Sequence, residues 1–385
     1  MLSGVAGEVA EPAYGGRTIS QWLSAKAMEE GELKALEAAI LNLGTNCLPA
    51  LMQAIQTRPL NLDDPDGVRQ ASAWETNFIR NWNALHAFGI LGRQAVPVIP
   101  ELEAMAREGN GKAYSALGIL TTNGLPALIG IAADSSPANR ILAINMIGTY
   151  HRELGTNALR AVQPLLKCLQ GQDSNLVVCA ARALCDLKLR PEEVVPALAK
   201  LLENGDAELC GPVIYAVSDW PIAAEHCART IVKGLTDQDQ KVREFATNCL
   251  MWNAGAIRVA GQMGDQARPA VPVLVQALRS SKLRVEAANA LGNLGFDPPL
   301  VVAALRKWVR TSDTPGAVAA ANALGKFGAK AGWAVPEIME AFYDQRLEVR
   351  TAATNAVLKI TPSALEASSS TKDPGRNTNP GIFRL

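Results

Sequence analysis

The residues that could do acid–base, metal or nucleophilic chemistry are few and far apart in this sequence. The chain has three histidines, His86, His151 and His226, and it contains no His-Glu dipeptide. None of its seven cysteines forms a Cys-x-x-Cys pair, whereas a zinc site needs about four clustered nitrogen or sulfur ligands. Phosphate-binding glycine loops and the G-x-S-x-G nucleophile motif are also absent. The sequence therefore predicts no catalytic residue, no metal and no cofactor.

The cysteines and the apolar runs bear on the compartment. The number of cysteines is odd, and several of them stand in apolar segments. This pattern predicts buried free thiols in a reducing compartment. The first twelve residues lack the basic start and apolar core of a signal peptide. No apolar run reaches the roughly 18 to 20 residues that span a bilayer. We expect a cytoplasmic chain without a membrane span, or an exported or anchored one if the true start lies upstream.

Polar residues recur in successive segments of the chain, each two positions before a leucine or the residue that replaces it. Asparagine costs a few tenths of a kcal/mol relative to alanine inside a helix, so its recurrence needs a reason. It indicates either a solvated or inter-repeat hydrogen-bonding stripe, or a ladder that binds a peptide backbone. The row comprises His86, Ser115, Asn145, Arg182, Tyr215, Asn248, Asn289, Asn322 and Asn355.

A second row consists of mostly cationic residues, with one residue in each of the later repeats. Steps of 33 residues separate Lys167, Lys200 and Lys233, which predicts one cation per repeat on a common line. The line is either a solvated face or a surface that attracts an acidic peptide or a phosphate-bearing ligand. The full row is Lys167, Lys200, Lys233, Gln276, Lys307 and Glu340.

Three aromatic residues, Trp74, Phe78 and Trp82, stand at i, i+4 and i+8 in an overlong helical segment. This spacing puts them on one face of a helix. Such stripes are usually part of a core, but on an inserted helix they would form an exposed anchor for a protein partner. The spacing alone leaves both interpretations open.

The elements that must position these residues repeat every 33 residues. Ala-Leu-Gly at 290–292 recurs at 323–325, and Ala356-Val357 follows, with steps 324 − 291 = 33 and 357 − 324 = 33. A fixed period of about 20 to 50 residues indicates a solenoid of stacked repeats. The glycine of each Ala-Leu-Gly is interpreted as the end of the first, or leading, helix of its repeat. The step from Leu250 to Leu291 is 41, so eight extra residues lie near 255–264.

Composition favours an all-α fold. Hydrophobic residues make up 48% of the chain and aromatic residues only 5%, which is typical of closely packed helices. Glycine and proline punctuate the segments, and no stretch shows the alternation of a strand. We predict an α-α superhelix of about ten helix pairs over residues 15–362. A flexible lead-in (1–14) and a disordered tail (363–385) would flank it.

The repeat resembles the HEAT repeat of bacterial type, related to the bilin-lyase HEAT-like repeat. The matching features are the acidic turn before Val242-Arg243 and Val349-Arg350, and Ala-Val-Pro at 95–97, 270–272 and 334–336. The resemblance covers about nine-tenths of the chain. It implies that the second, or trailing, helices line a concave surface. The opening Tyr14-Gly15-Gly16 with Trp22 also resembles the lead-in of bacterial HEAT proteins that follow an anchor or export signal.

Fold resemblance and charge together favour a binding protein over an enzyme. The net charge is zero, with a balance of 8 − 13 = −5 over residues 1–110 and 12 − 6 = +6 over residues 226–310. We predict a non-catalytic scaffold that recognises a protein or peptide, acidic if the lysine row is used, along the concave face. One alternative is a HEAT-like enzyme acting on a tetrapyrrole or a nucleobase. Another is nucleic-acid binding through residues 226–310. The oligomeric state stays open.

Overall fold

The structure, a computed structural model, describes residues 10–25, 30–56, 67–204 and 207–362. It divides into unit 1 (Met1–Ala197) and unit 2 (Leu198–Leu385). The predicted tail, 363–385, and residues 1–9 of the predicted lead-in lie outside the described residues. The predicted all-α architecture of helix pairs is confirmed, because nearly all of the described chain is helical.

The α-helices follow one another with short connections. Those of unit 1 are α1 (Ile19–Ser24), α2 (Glu30–Leu43), α3 (Leu48–Gln56), α4 (Gly67–Leu91), α5 (Ile99–Arg107), α6 (Gly111–Ile119), α7 (Leu125–Asp134), α8 (Pro137–Thr149), α9 (His151–Leu154), α10 (Leu159–Cys168) and α11 (Ser174–Leu187). The division between the units falls within α12 (Pro191–Asn204). Those of unit 2 are α13 (Ala207–Ser218), α14 (Pro221–His226), α15 (Ala228–Gly234), α16 (Gln240–Trp252), α17 (Ala254–Ala260), α18 (Val271–Ala277), α19 (Arg284–Leu294), α20 (Pro298–Leu305), α21 (Thr314–Lys326), α22 (Val335–Glu340) and α23 (Leu347–Ile360).

Short 3-10 helices join many leading helices to their trailing helices. Five of them begin with a glycine whose φ lies between 50° and 60°, a region that costs other residues about 1–2 kcal/mol. The glycines are Gly44, Gly92, Gly155, Gly264 and Gly328. The 3-10 helices are Gly44–Cys47, Gly92–Val98, Gly155–Ala158, Gly264–Ala270, Arg306–Trp308, Gly328–Ala334 and Ala341–Tyr343.

The glycines of the Ala-Leu-Gly segments lie in the last turn of their helices, one or two residues before the helix ends that the sequence predicted there. Gly292 and Gly325 lie inside α19 and α21, and both are buried. A Cβ atom on Gly292 would lie 2.8 Å from Ala323 Cα, and one on Gly325 would lie 3.1 Å from Ala356 Cα. The repeated glycine therefore permits close packing of each leading helix against the next one.

The Val-Arg segments have a structural role within their turns. Arg243 Nη1 donates to the carbonyl oxygens of Asp237 and Gln238 at 2.7 and 2.9 Å. Arg350 Nη1 donates in the same way to Asp344 and Gln345, at 2.8 and 2.9 Å. The arginine of this motif thus satisfies carbonyl groups that the preceding turn leaves without a partner.

One buried cation joins the leading helices α19 and α21. Arg284 is 6% exposed, and its Nη1 lies 2.7 Å from Asp313 Oδ2. Its Nε donates to the carbonyl of Leu278 at 2.9 Å, and its guanidinium lies 4.1 Å from the centroid of the Trp308 ring. Asp313 in turn caps α21 by accepting from the Gly316 amide at 3.2 Å. Arg284 therefore holds two successive repeats together from inside.

The lead-in contains a small β-hairpin that the sequence did not predict. Strand β1 (Ala13–Tyr14) pairs with strand β2 (Arg17–Thr18) across Gly15 and Gly16, both at positive φ. The Tyr14 carbonyl accepts a hydrogen bond from Trp22 Nε1 at 3.0 Å. The predicted boundary after residue 14 falls inside this hairpin. Thr18 caps α1, since its hydroxyl oxygen accepts from the Gln21 amide.

A helical run near the N-terminus is long and apolar enough to cross a membrane by length and composition alone. It covers 26 residues, Gly31–Gln56. In the structure it is two helices, α2 and α3, because the 3-10 turn that begins at Gly44 interrupts it. Neither α2, with 14 residues, nor α3, with 9, reaches the roughly 20 residues of a spanning helix.

Candidate functional site

The asparagine row of unit 2 lies on solvent-exposed positions of three successive leading helices. Asn289 on α19, Asn322 on α21 and Asn355 on α23 are all exposed. Within the described part of the chain, none of these three amides has a hydrogen-bond partner. These exposed amides fit the solvated stripe and the peptide-binding ladder, but not the inter-repeat hydrogen-bonding stripe. We call these three residues the asparagine ladder.

Close helix packing sets the spacing of the asparagine ladder. Each asparagine stands three residues before a packing glycine or its equivalent: Asn289 before Gly292, and Asn322 before Gly325. Because those glycines press against Ala323 and Ala356 of the next leading helix, the helix axes approach closely. Packed helices lie about 8–10 Å apart, and glycine–alanine contacts favour the lower end. The three amides therefore follow one another at about that interval.

A second line of polar residues runs beside the asparagine ladder, one helical turn later. Its members, Asn293, Lys326 and Lys359, are exposed. Lys326 Nζ donates to Asn293 Oδ1 at 2.7 Å, which connects α21 to α19 at the surface. Because two of the three residues are lysines, this line places two cations beside the ladder.

Asn248 does not continue the asparagine ladder, although its sequence position predicts that it should. The eight extra residues contribute to a separate helix, α17, and α19 packs against α17. Gly261, whose added Cβ would lie 2.6 Å from Ala290 Cα, takes the place that Gly292 has in the next repeat. Three residues before it stands Arg258, which forms a 2.7 Å ion pair with Glu225. Asn248 is exposed on α16, outside this stack.

All the lysines of the predicted lysine row are exposed. Lys167 belongs to unit 1, whereas Lys200, Lys233 and Lys307 belong to unit 2. Gln276 is exposed as well, and Glu340 forms an ion pair with Arg310. A role for the row in binding stays a prediction.

Two aromatic residues of α4 are exposed rather than part of a core. Phe78 is 50% exposed and Trp82 is 47% exposed. The Trp82 ring stacks on His86 with centroids 5.6 Å apart, and His86 Nε2 lies 3.3 Å from Glu37 Oε1 on α2. The side chain of Trp74 lies outside the described residues. This arrangement fits an aromatic contact surface in unit 1, which the spacing alone did not distinguish from a core stripe.

The histidines and cysteines do not assemble into a reactive group in the described residues. No three His, Cys, Asp or Glu side chains there lie close enough to hold a metal ion. All seven cysteines are free thiols, and five of them are buried. Burial raises the pKa of Cys47 to about 11 and the pKa of Cys227 and Cys249 to about 12, so these thiols are unreactive near neutral pH.

A polar cavity of unit 1 has a volume of about 340 Å³ and lies between α8 and α11. Asn145, Arg182, His151 and Cys179 contribute to its lining. His151 Nδ1 donates to the Gly148 carbonyl at 2.8 Å, and burial raises the pKa of the Cys179 thiol. A protonated thiol is a poor nucleophile, so this cavity offers polar contacts rather than thiol chemistry.

Nucleic-acid binding through the basic segment 226–310 stays a prediction, although some of its cations pair with acidic residues outside the segment. Four of its cations are in ion pairs, including the buried Arg284 with Asp313 and the surface pair of Arg258 with Glu225. The other two pairs are Arg306 with Glu337 and Arg310 with Glu340. Pairing removes much of the excess charge that suggested nucleic-acid binding.

Comparison with known proteins identifies the repeats and the fold. Residues 125–216 and 271–359 match the family model described as HEAT repeats. An engineered protein of known crystal structure is similar at 19% identity, with a TM-score of 0.50, over 89% of this chain and 98% of that chain. A homology model of the full-length AP-3 complex is similar at 10% identity, with a TM-score of 0.54, over 91% of this chain and 69% of that chain. At these identities the similarity shows the fold alone.

Two further results of the comparison limit what it says about activity. Human deoxyhypusine hydroxylase matches at 16% identity over 70% of this chain and 97% of that chain. Its TM-score is 0.30, which is too low to support an argument about chemistry. No curated protein matches the sequence.

Proposed function

Because residues 125–216 and 271–359 are HEAT repeats, we propose that this protein is a non-catalytic scaffold that binds a segment of a partner protein along the asparagine ladder of unit 2. The observation that carries the proposal is the set of three exposed amides, Asn289, Asn322 and Asn355, without a hydrogen-bond partner in the described chain. Each amide offers two N–H donors and one oxygen acceptor. Together they present the groups that a peptide backbone needs.

The interval between the amides fits an extended ligand. A polyproline II segment rises about 3.1 Å per residue, so three residues cover about 9 Å, close to the distance between packed helices. Successive asparagines would then bond to peptide units that lie three residues apart in the partner. Backbone recognition of this kind tolerates many side chains, which suits a scaffold.

Charge favours an acidic partner segment. Lys326 and Lys359 stand beside Asn322 and Asn355, one helical turn further along the same helices. Carboxylate side chains of a peptide on the ladder would lie within reach of these ammonium groups. The free, mostly buried thiols support a reducing, cytoplasmic location for the complex.

The proposal is tested by replacing the three ladder asparagines with alanine. A hydrogen bond contributes about 0.5–1.5 kcal/mol net, so losing three amides should weaken partner binding at least tenfold. The full-length protein and the triple variant would be used in parallel as bait in extracts of the source organism, with captured proteins quantified by mass spectrometry. We expect a partner that the wild type retains and the variant loses.

The matched control makes the same chemical change at exposed asparagines of unit 1. Asn46, Asn157 and Asn175 are suitable, because all three are exposed. The control variant should retain the partner, and both variants should melt at nearly the wild-type temperature. If the ladder variant captured the same partners in the same amounts as wild type, the proposal would be wrong.

A further inference from the structure

A cleft of unit 2 lies on a trailing helix, α15. It has a volume of about 450 Å³ and lies between α15 and the 3-10 helix Gly264–Ala270. One wall comes from Met263, at the end of the inserted stretch, and from Gln266 and Pro269 of the 3-10 helix. Its lining is Arg229, Thr230, Val232, Lys233, Thr236, Met263, Gln266 and Pro269.

Two cations without an ion-pair partner line this cleft. Arg229 and Lys233 stand at i and i+4 on α15, so their side chains lie on the same helix face. Both are exposed, and neither forms an ion pair with any residue that the structure describes. Like charges at this spacing destabilise a helix. An anion between the two groups would relieve this repulsion.

The cation pair is particular to α15. At the corresponding positions, α18 has Pro272 and Gln276, and α22 has Pro336 and Glu340. In the remaining trailing segment of unit 2, Ala303 stands four residues before Lys307. The pair coincides with a cleft, which distinguishes it from cations that stand singly on an open surface.

We propose that this cleft binds the phosphoryl group of a phosphorylated side chain on a partner polypeptide. Arg229 and Lys233 match the charge of a phosphate dianion, and Thr230 and the Gln266 amide supply further hydrogen-bond donors at the rim. Val232, Met263 and Pro269 form an apolar wall for the hydrocarbon part of the phosphorylated residue. A carboxylate carries one charge and two oxygens, so it uses the site less fully. This site is on a trailing helix and is independent of the asparagine ladder.

The test measures binding of fluorescent degenerate peptide pools to the full-length protein by fluorescence polarisation. Three pools differ only at the central residue, which is phosphothreonine, glutamate or threonine. At pH 7.5 the phosphothreonine pool should bind at least tenfold more tightly than the glutamate pool. Its affinity should fall as the pH drops below about 6, where phosphate gains a proton, whereas the glutamate pool should not change in that range.

Variants of the cations assign the binding to the cleft. Arg229→Gln with Lys233→Gln should weaken binding of the phosphothreonine pool at least tenfold, whereas Lys233→Arg should retain it. Arg279→Gln with Lys282→Gln is the matched control, because it removes two exposed cations of the same unit outside the cleft. Equal affinity for the phosphothreonine and glutamate pools would overturn the proposal. An equal loss in the control variant would also overturn it, since it would mean general charge attraction.

Discussion

Arg284→Ala is expected to lower the free energy of unfolding by about 3 kcal/mol, near the lower end of the range for breaking a buried ion pair. The arginine is buried and pairs with Asp313 at 2.7 Å, while its guanidinium also stacks on Trp308. The substitution leaves the Asp313 carboxylate without its cation and the Leu278 carbonyl without its donor. Because the Asp313 side chain is still 25% exposed, water offsets part of the loss. Urea denaturation followed by circular dichroism measures the effect.

A surface ion pair in the same unit provides the control for Arg284. Arg310 pairs with Glu340, and the two side chains are 63% and 55% exposed. Exposed pairs contribute about 0–1 kcal/mol, so Arg310→Ala should change the urea midpoint only slightly. If the two variants lost stability equally, Arg284 would not hold the repeats together as described.

Gly292→Val is expected to destabilise the protein by about 1–3 kcal/mol or more through overpacking. Even the first atom of the new side chain would lie 2.8 Å from Ala323 Cα and 2.9 Å from Ala323 Cβ. Helices α19 and α21 would have to separate, and the distance between Asn289 and Asn322 would increase with them. We therefore expect a lower melting temperature together with weaker partner binding at permissive temperature.

Gly332→Val is the control for this substitution, because an added Cβ at Gly332 would meet no atom within 4 Å. It should leave the melting temperature and partner binding close to wild type. If Gly292→Val lowered stability but left binding intact in the folded protein, the spacing of α19 and α21 would not matter for the ligand.

The sequence predicts most of the fold because the repeats are local and regular. The 33-residue steps correctly place Asn322 and Asn355 at equivalent, exposed positions of successive leading helices. They misplace Asn248, because a spacing of 41 shows that residues are inserted but not that α17 replaces α16 beside α19. A sequence pattern counts residues along the chain, whereas the ladder depends on which helix is the neighbour in space.

Three other features show the same limit. Gly292 looks like a helix terminator, because glycine disfavours helices, and only the contact with Ala323 shows that it is needed for packing. Arg229 belongs to neither recurring row, so the repeat pattern does not identify it. Its i, i+4 relation to Lys233 is nevertheless visible in the sequence. The exposure of Phe78 and Trp82 could not be predicted, since core stripes and contact surfaces have the same helical spacing.

Site-specific photo-crosslinking tests most directly whether a partner polypeptide lies on the asparagine ladder. A photoreactive phenylalanine analogue would replace Asn322 at the centre of the ladder and, separately, Arg160, which is exposed on α10 of unit 1. Irradiation in cells of the source organism, followed by mass spectrometry, identifies the crosslinked peptide. We predict that position 322 crosslinks to a short segment of a partner protein and that position 160 does not. Crosslinks of equal yield at both positions, or none at position 322, would contradict binding along the ladder.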